Sequence, residues 1–199
     1  MKFDRRWIKT EVIPFALMVV LLTAARSSVA DHYFVPSGSM EYSLMPGDRV
    51  IVDKTAYGFR VPYTKIDLLG ARTPSRGEIA VFDSPQDGTL LIKRIVAVGG
   101  DVVDLEAGHL SINGKPLAEE HSVTQEHFAA RVAELNLHDG GGPSINRVRV
   151  PDGKVLAIGD HRGNSLDGRY FGFVDETELY GRAVAVYYRS GEGFVWKTL

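Results

Sequence analysis

Six short runs of β-branched and aromatic residues set what this chain can fold into: Arg49 to Asp53 (RVIVD), Glu78 to Phe82 (EIAVF), Leu90 to Val98 (LLIKRIVAV), His109 to Ile112 (HLSI), Lys154 to Ile158 (KVLAI) and Arg182 to Tyr188 (RAVAVYY). Each is bounded by Gly, Pro, Asn or Asp, the residues that turn a backbone, so each reads as a strand. Asn113-Gly114 adds a hairpin signal. Twenty-one glycines and nine prolines supply the turns that a mostly β protein needs. One segment breaks the pattern. Ser122 and Gln125 fit a capping box, and Phe128, Val132 and Leu135 recur at i, i+4 and i+7 before Gly140-Gly141-Gly142. A helix is therefore expected over Ser122 to Leu137, inside an insertion of about 115–150 packed on the β body.

Composition narrows the function. A chain of 199 residues, 44% hydrophobic, can build one core or two small ones. The net charge is only -2 and the basic residues are scattered, so no nucleic-acid partner is expected. With no cysteine there is no disulfide framework, thiol nucleophile or cysteine zinc site, and the six histidines show no metal-ligand spacing.

The amino terminus carries a targeting signal. Val12 to Ala25 (VIPFALMVVLLTAA) is apolar throughout, and as a helix it measures about 21 Å, short of the roughly 30 Å hydrocarbon core. If Arg26 snorkels, Ser27 to Ala30 extend the segment to about 28 Å, enough to span. Pro14 falls in the first turn, where its missing N–H costs little, and Trp7 is placed as an interfacial anchor. Lys2, Arg5, Arg6 and Lys9 outweigh Asp4 and Glu11 ahead of the run, which holds the N-terminus in the cytoplasm and sends the rest across. The organisation expected is a cytoplasmic 1–11, a transmembrane anchor 12–30 and an extracytoplasmic domain 31–199. A cleavable signal peptide, cut after Ser28-Val29-Ala30, is the competing reading.

Three pieces beyond the anchor carry chemistry. PSGSM, residues 36 to 40, places Ser37 and Ser39 around Gly38. It is an ordinary surface turn by composition, yet Ser39 could attack a carbonyl while its own N–H and the Ser37 hydroxyl hold the oxyanion. Lys93 interrupts the apolar run LLIKRIVAV. An edge lysine reaching for water explains it, and so does a general base, since lowering its pKa from 10.4 to near 7.5 takes about 4 kcal/mol of desolvation. Arg94 then points to the opposite face, solvated or paired. In GDHRGNSLDGRYFGFV, residues 159 to 174, Asp167 and Arg169 can brace a tight loop, and Ser165 can orient the lysine amine.

Taken together, FVPSGSM, LMPGDRVIVDKTAYGFRVP, GEIAVF, LIKRIVAVGGD and VPDGKVLAIGDHRGNSLDGRYFGFV, following the apolar run, resemble the bacterial type I signal peptidases. These are the serine/lysine leader peptidases, and the resemblance runs from about Trp7 to Tyr188. It implies Ser39 as nucleophile and Lys93 as general base, Ser37 as an oxyanion donor and Ser165 as an orienting hydroxyl. Gly38, Met40, Asp160, Arg162, Asp167 and Arg169 support the site. The resemblance also implies a largely antiparallel β catalytic domain at the outer face of the cytoplasmic membrane, near the secretion translocon, with no metal or organic cofactor. Its substrates would be exported preproteins, bound extended along Phe34, Val35 and Pro36, with small residues such as Ala before the cut. The family pattern SGSM-x-P-T-L becomes Glu41-Tyr42-Ser43-Leu44 after SGSM, and GDNRDNS carries His161 and Gly163 instead. Two alternatives share these residues: a Ser/Lys peptidase devoted to one client, such as a pilin or conjugation protein, and a tethered β module that binds peptides without cutting them.

Overall fold

The structure is a computed structural model that describes residues 7–28, 30–60, 67–69, 72–119, 122–129 and 131–199. Of the cytoplasmic segment expected at 1–11, residues 1–6 lie outside the described ones. The apolar run is helical: a π-helical turn, Ile8–Val12, leads into α1, Ile13–Ser28. No helix among the described residues is by itself long and apolar enough to cross a membrane.

The strands follow as β1 (Ala30–Phe34), β2 (Arg49–Asp53), β3 (Phe59–Arg60), β4 (Asp67–Leu69), β5 (Ile79–Asp83), β6 (Leu90–Val98), β7 (Val102–Glu106), β8 (His109–Ile112), β9 (Lys115–Pro116), β10 (Ala118–Glu119), β11 (Ser122–Phe128), β12 (Arg131–Glu134), β13 (Ile145–Arg149) and β14 (Lys154–Ile158). A short helix, α2 (Gly168–Phe171), then precedes β15 (Val174–Asp175), β16 (Leu179–Arg189) and β17 (Gly193–Thr198). All six strands read from the sequence are present, the last extended from Arg182–Tyr188 to Leu179–Arg189. The main sheet runs β1-β2-β16-β5-β6-β14-β15, with β17 on β16, and every ladder in it is antiparallel.

Both faces of the centre of this sheet are buried, which is why its strands read as continuous apolar runs. Along β5, Ile79 and Val81 join a cluster with Val35, Met40, Leu44, Val50 and Val186, while Ala80 and Phe82 face Ile95, Val155 and Ala157. A second lobe, β13-β7-β8-β9 with β10-β11-β12, packs on the end of the sheet through Val103, Leu105, Leu110, Ile112, Phe128 and Leu135. Asn113-Gly114 makes the β8–β9 hairpin as expected, Ile112 facing Lys115.

No described residue of the insertion is helical. Ser122 to Glu134 is the antiparallel hairpin β11–β12, and the small helix of this fold is α2 instead. Glu126 pairs with Ala133 and Phe128 with Arg131 on the inward face, whereas Val132 is half exposed. Spacing misleads here because Phe128 and Leu135 are seven apart, a helical repeat, yet a tight hairpin brings both to one face. Ser122 and Gln125 lie in a strand and cap nothing.

Candidate active site

Ser39 sits in the connection from β1 to β2, where Met40 and Leu44, both fully buried, peg the turn into the core. A helix-like turn closes over them, Leu44 N donating to Met40 O at 2.8 Å. The Ser39 hydroxyl therefore projects from an immobilised backbone, itself 9% exposed.

Lys93 reaches it from the middle of β6, which lies between β5 and β14 and is no edge strand. Strand alternation puts Lys93 on one face with Leu91 and Ile95, opposite Ala80 of β5, and Arg94 on the other. Lys93 Nζ lies 2.6 Å from Ser39 Oγ and is 3% exposed. Burial pushes the amine down to about 8; Asp167 and Asp160 pull it upward, and Arg169 adds to the lowering. Ser39 Oγ is the hydrogen-bond partner that the described residues give the amine.

Ser37 stands at the mouth of the site, exposed, its Oγ donating to Ser39 Oγ at 3.4 Å. Ser37, Gly38, Ser39 and Lys93 line a cleft of about 230 Å³ with Leu91, Asn164 and Leu166. Ser165 is brought close but makes no hydrogen bond to Lys93: its hydroxyl is buried without a partner, against Gly159. A side chain at Gly159 would collide with both the Ser165 hydroxyl and the Ser39 carbonyl, so glycine is what lets the two segments close on each other. Of Phe34, Val35 and Pro36, only Phe34 and Pro36 present side chains to the surface; Val35 is buried at 1%. Phe34 ends β1, an edge strand of the main sheet, and Val35 and Pro36 follow it.

The loop after β14 is held by three ion pairs. Asp160 takes a bidentate bond from Arg94 (2.8 and 2.7 Å), and Arg94 also donates to Gly77 O and Ser43 Oγ. Asp167 takes one from Arg169 (2.8 and 2.8 Å), caps α2 and accepts from Gly159 N. Arg162 grips Glu126 of β11 at 3.0 and 2.6 Å and donates to the Gly159 and Gly108 carbonyls. Arg94, expected only as solvated or paired, is thus a buried strut of the site. Glu126 went unread because it falls in the segment taken for a helix. Read as a strand, Glu126 shares a face with buried Phe128, and a carboxylate at an inward position signals a buried cation. Among the described residues no cluster of metal-ligating side chains forms.

A buried lysine against a serine, on a chain with this order of blocks, matches a known sequence family: the one described as "Signal peptidase, peptidase S26" aligns with residues 5–188. The chain belongs to the signal peptidase family, peptidase S26. It is 35% identical over 172 residues to the probable signal peptidase I-2 of Synechocystis, covering 83% of this chain and 66% of that one. The probable signal peptidase I-1 of the same organism is 30% identical over 179 residues, covering 90% and 82%. The signal peptidase I of Haemophilus influenzae is 28% identical over 233 residues, covering 86% and 66%. Among solved structures, a signal peptidase I from Enterococcus faecalis superposes with a TM-score of 0.40 at 28% identity, covering 56% of this chain and 97% of that one. The signal peptidase matches do not favour the single-client or binding-module alternatives.

Proposed function

We propose that this chain is a serine endopeptidase that removes signal peptides from exported preproteins, with Ser39 as nucleophile and neutral Lys93 as general base. The observation that carries this reading is the 2.6 Å contact between Lys93 Nζ and Ser39 Oγ in a site that keeps the amine dry. At that separation the hydroxyl proton passes directly to the amine lone pair as Ser39 Oγ attacks the scissile carbonyl. The oxyanion is met by the Ser39 N–H and the Ser37 hydroxyl. Lys93 hands the proton to the leaving amine, the acyl-enzyme remains, and the same lysine activates the water that releases it. Ser165 packs against Gly159, which approaches the Ser39 carbonyl, while Gly38, Met40, Asp160, Arg162, Asp167 and Arg169 hold the surrounding backbone in place. The substrate pairs as an extended strand with the free edge beside Phe34 and Pro36, and the cleft of about 230 Å³ suits small residues before the cut.

The rest of the reading concerns place. Val12 to Ala30 anchors the chain, with 1–11 in the cytoplasm and 31–199 on the outer face of the cytoplasmic membrane, near lipid and the translocon. In support, Phe15, Leu17, Val20 and Leu22 of α1 are all more than half exposed, apolar side chains with no protein to cover them. The π-helical turn before α1 adds length to a helix of about 24 Å.

The test is cleavage of a preprotein carrying Ala-x-Ala by the full-length chain in membranes, read by mass spectrometry. Wild type releases the mature protein and keeps its own residues 1–30, and Ser39→Ala releases none. Processing by Ser39→Ala would overturn the assignment of the nucleophile; loss of residues 1–30 from the mature enzyme would overturn the anchor.

A pH profile follows from the amine. Because its pKa is lowered to about 8, the neutral base is populated from about 8 upward, where an ordinary lysine would need a pH above about 10.4. The kcat/KM should rise about tenfold per pH unit below 8 and level off above it. A profile flat from pH 6 to 8, or still climbing at pH 10, contradicts this.

A further inference from the structure

His161 lies where the family pattern has Asn, and its ring is 7% exposed between two carboxylates. Nδ1 is 3.2 Å from the Gly38 carbonyl oxygen and 3.3 Å from Glu41 Oε2. Both neighbours are acceptors, so Nδ1 carries the hydrogen. Asn136 Nδ2, 3.5 Å from the same nitrogen, donates instead to Glu41 Oε2 at 3.1 Å. Nε2 lies 2.9 Å from Asp139 Oδ2, which packs against the ring edge without a directed hydrogen bond. The His161 backbone N–H adds a third tie, donating to the Ser39 carbonyl at 3.2 Å.

The Gly163 departure belongs to the same unit. A side chain at 163 would collide with the backbone carbonyl of Asp139. Glycine there opens the space in which the loop carrying Asp139 approaches the His161 ring. Two departures from the family pattern and a carboxylate from the second lobe thus form one connected group.

What this group grips is the peptide plane at the centre of the chemistry. The Gly38 carbonyl and the Ser39 N–H belong to one planar trans unit, so fixing the direction of the carbonyl fixes the direction of the N–H at its other end. We propose that His161, steadied by Asp139 and Glu41, is a positioning residue that aims the Ser39 N–H at the oxyanion. This rests on the Ser39/Lys93 reading and touches neither substrate nor proton transfer.

The tests are steady-state kinetics and a coupling measurement. Losing an oxyanion donor outright costs 10²–10³ in kcat, and misaiming one costs less, so His161→Ala should lower kcat about tenfold with KM within about twofold. His161→Asn places an amide N–H where Nδ1 was and should rescue kcat to within about threefold of wild type. Asp139 is 59% exposed, so Asp139→Asn does not threaten folding. It should lower kcat about threefold in the wild type and leave kcat unchanged in the His161→Asn background, a non-additivity that independent sites do not show. Wild-type kcat in folded His161→Ala, equal losses in the Ala and Asn variants, or no effect of Asp139→Asn in the wild type each overturn the inference. Should His161→Ala fail to fold, the two Asp139→Asn measurements decide alone. Activity surviving in Ser39→Ala or Lys93→Ala sinks the underlying mechanism; those variants dead, with His161→Ala unimpaired, sinks this inference only.

Discussion

Lys93→Ala should lose about 10⁴-fold in kcat, at the upper end of what a general base contributes, because the same amine serves both acylation and deacylation. KM should move less than about threefold, since Lys93 acts on the reaction through Ser39. Lys93→Arg should be no better, as a guanidinium stays protonated at every working pH and has no lone pair to give. Lys93→Met keeps the length and fills the same dry pocket, so it should be equally inactive while its melting temperature stays at or above that of wild type. That last comparison separates chemistry from folding: the amine is 3% exposed, and its desolvation is a cost that an apolar side chain does not carry. Cleavage of a preprotein under single-turnover conditions measures all three. A Lys93→Ala enzyme retaining a tenth of wild-type kcat would falsify the assignment of the base.

What could be read in advance follows from how local each signal is. The strands were legible because β-branched runs and their turn residues are contiguous, and Lys93 because one charge in an apolar run is visible without knowing its neighbours. Ser39 was legible as a candidate from its pentapeptide. The proximity of hydroxyl and amine, 54 positions apart, came from the order of the blocks and no single residue type. The struts were harder. Arg94 and Asp160 are 66 positions apart, and nothing near Arg94 says which carboxylate it finds. The insertion was misread for a physical reason: hairpin and helix share a seven-residue coincidence at Phe128 and Leu135, and Val132, the residue between, is the one that the fold leaves exposed. The partnership of His161 with Asp139 and Glu41 was invisible, because it joins three separate loops through a glycine whose only contribution is space.

The hairpin that replaced the expected helix has a consequence of its own for stability. Glu126 and Arg162 both have fully buried side chains, and they form a bidentate pair across the junction between the second lobe and the loop that bears Ser165. Glu126→Ala removes the counter-charge from a guanidinium that cannot lose its proton, and it also strips the Leu110 N–H of its acceptor. Breaking such a pair from one side costs about 3–5 kcal/mol, which for a chain of this size lowers the melting temperature by roughly 6–20 °C. Arg162→Ala likewise leaves a buried carboxylate without its counter-charge and takes a donor from the Gly159 and Gly108 carbonyls, so it should also lower the melting temperature. The double variant Glu126→Leu/Arg162→Met removes both charges for apolar groups of similar volume and should recover part of the loss, because the pair's attraction is largely offset by its own desolvation while the Leu110 N–H and the Gly108 and Gly159 carbonyls still lose a partner. Thermal and denaturant unfolding of the four proteins measures these differences. A melting temperature within 2 °C of wild type for Glu126→Ala, or a double variant no better than the worse single one, would show that the junction is held by its apolar contacts and not by this ion pair.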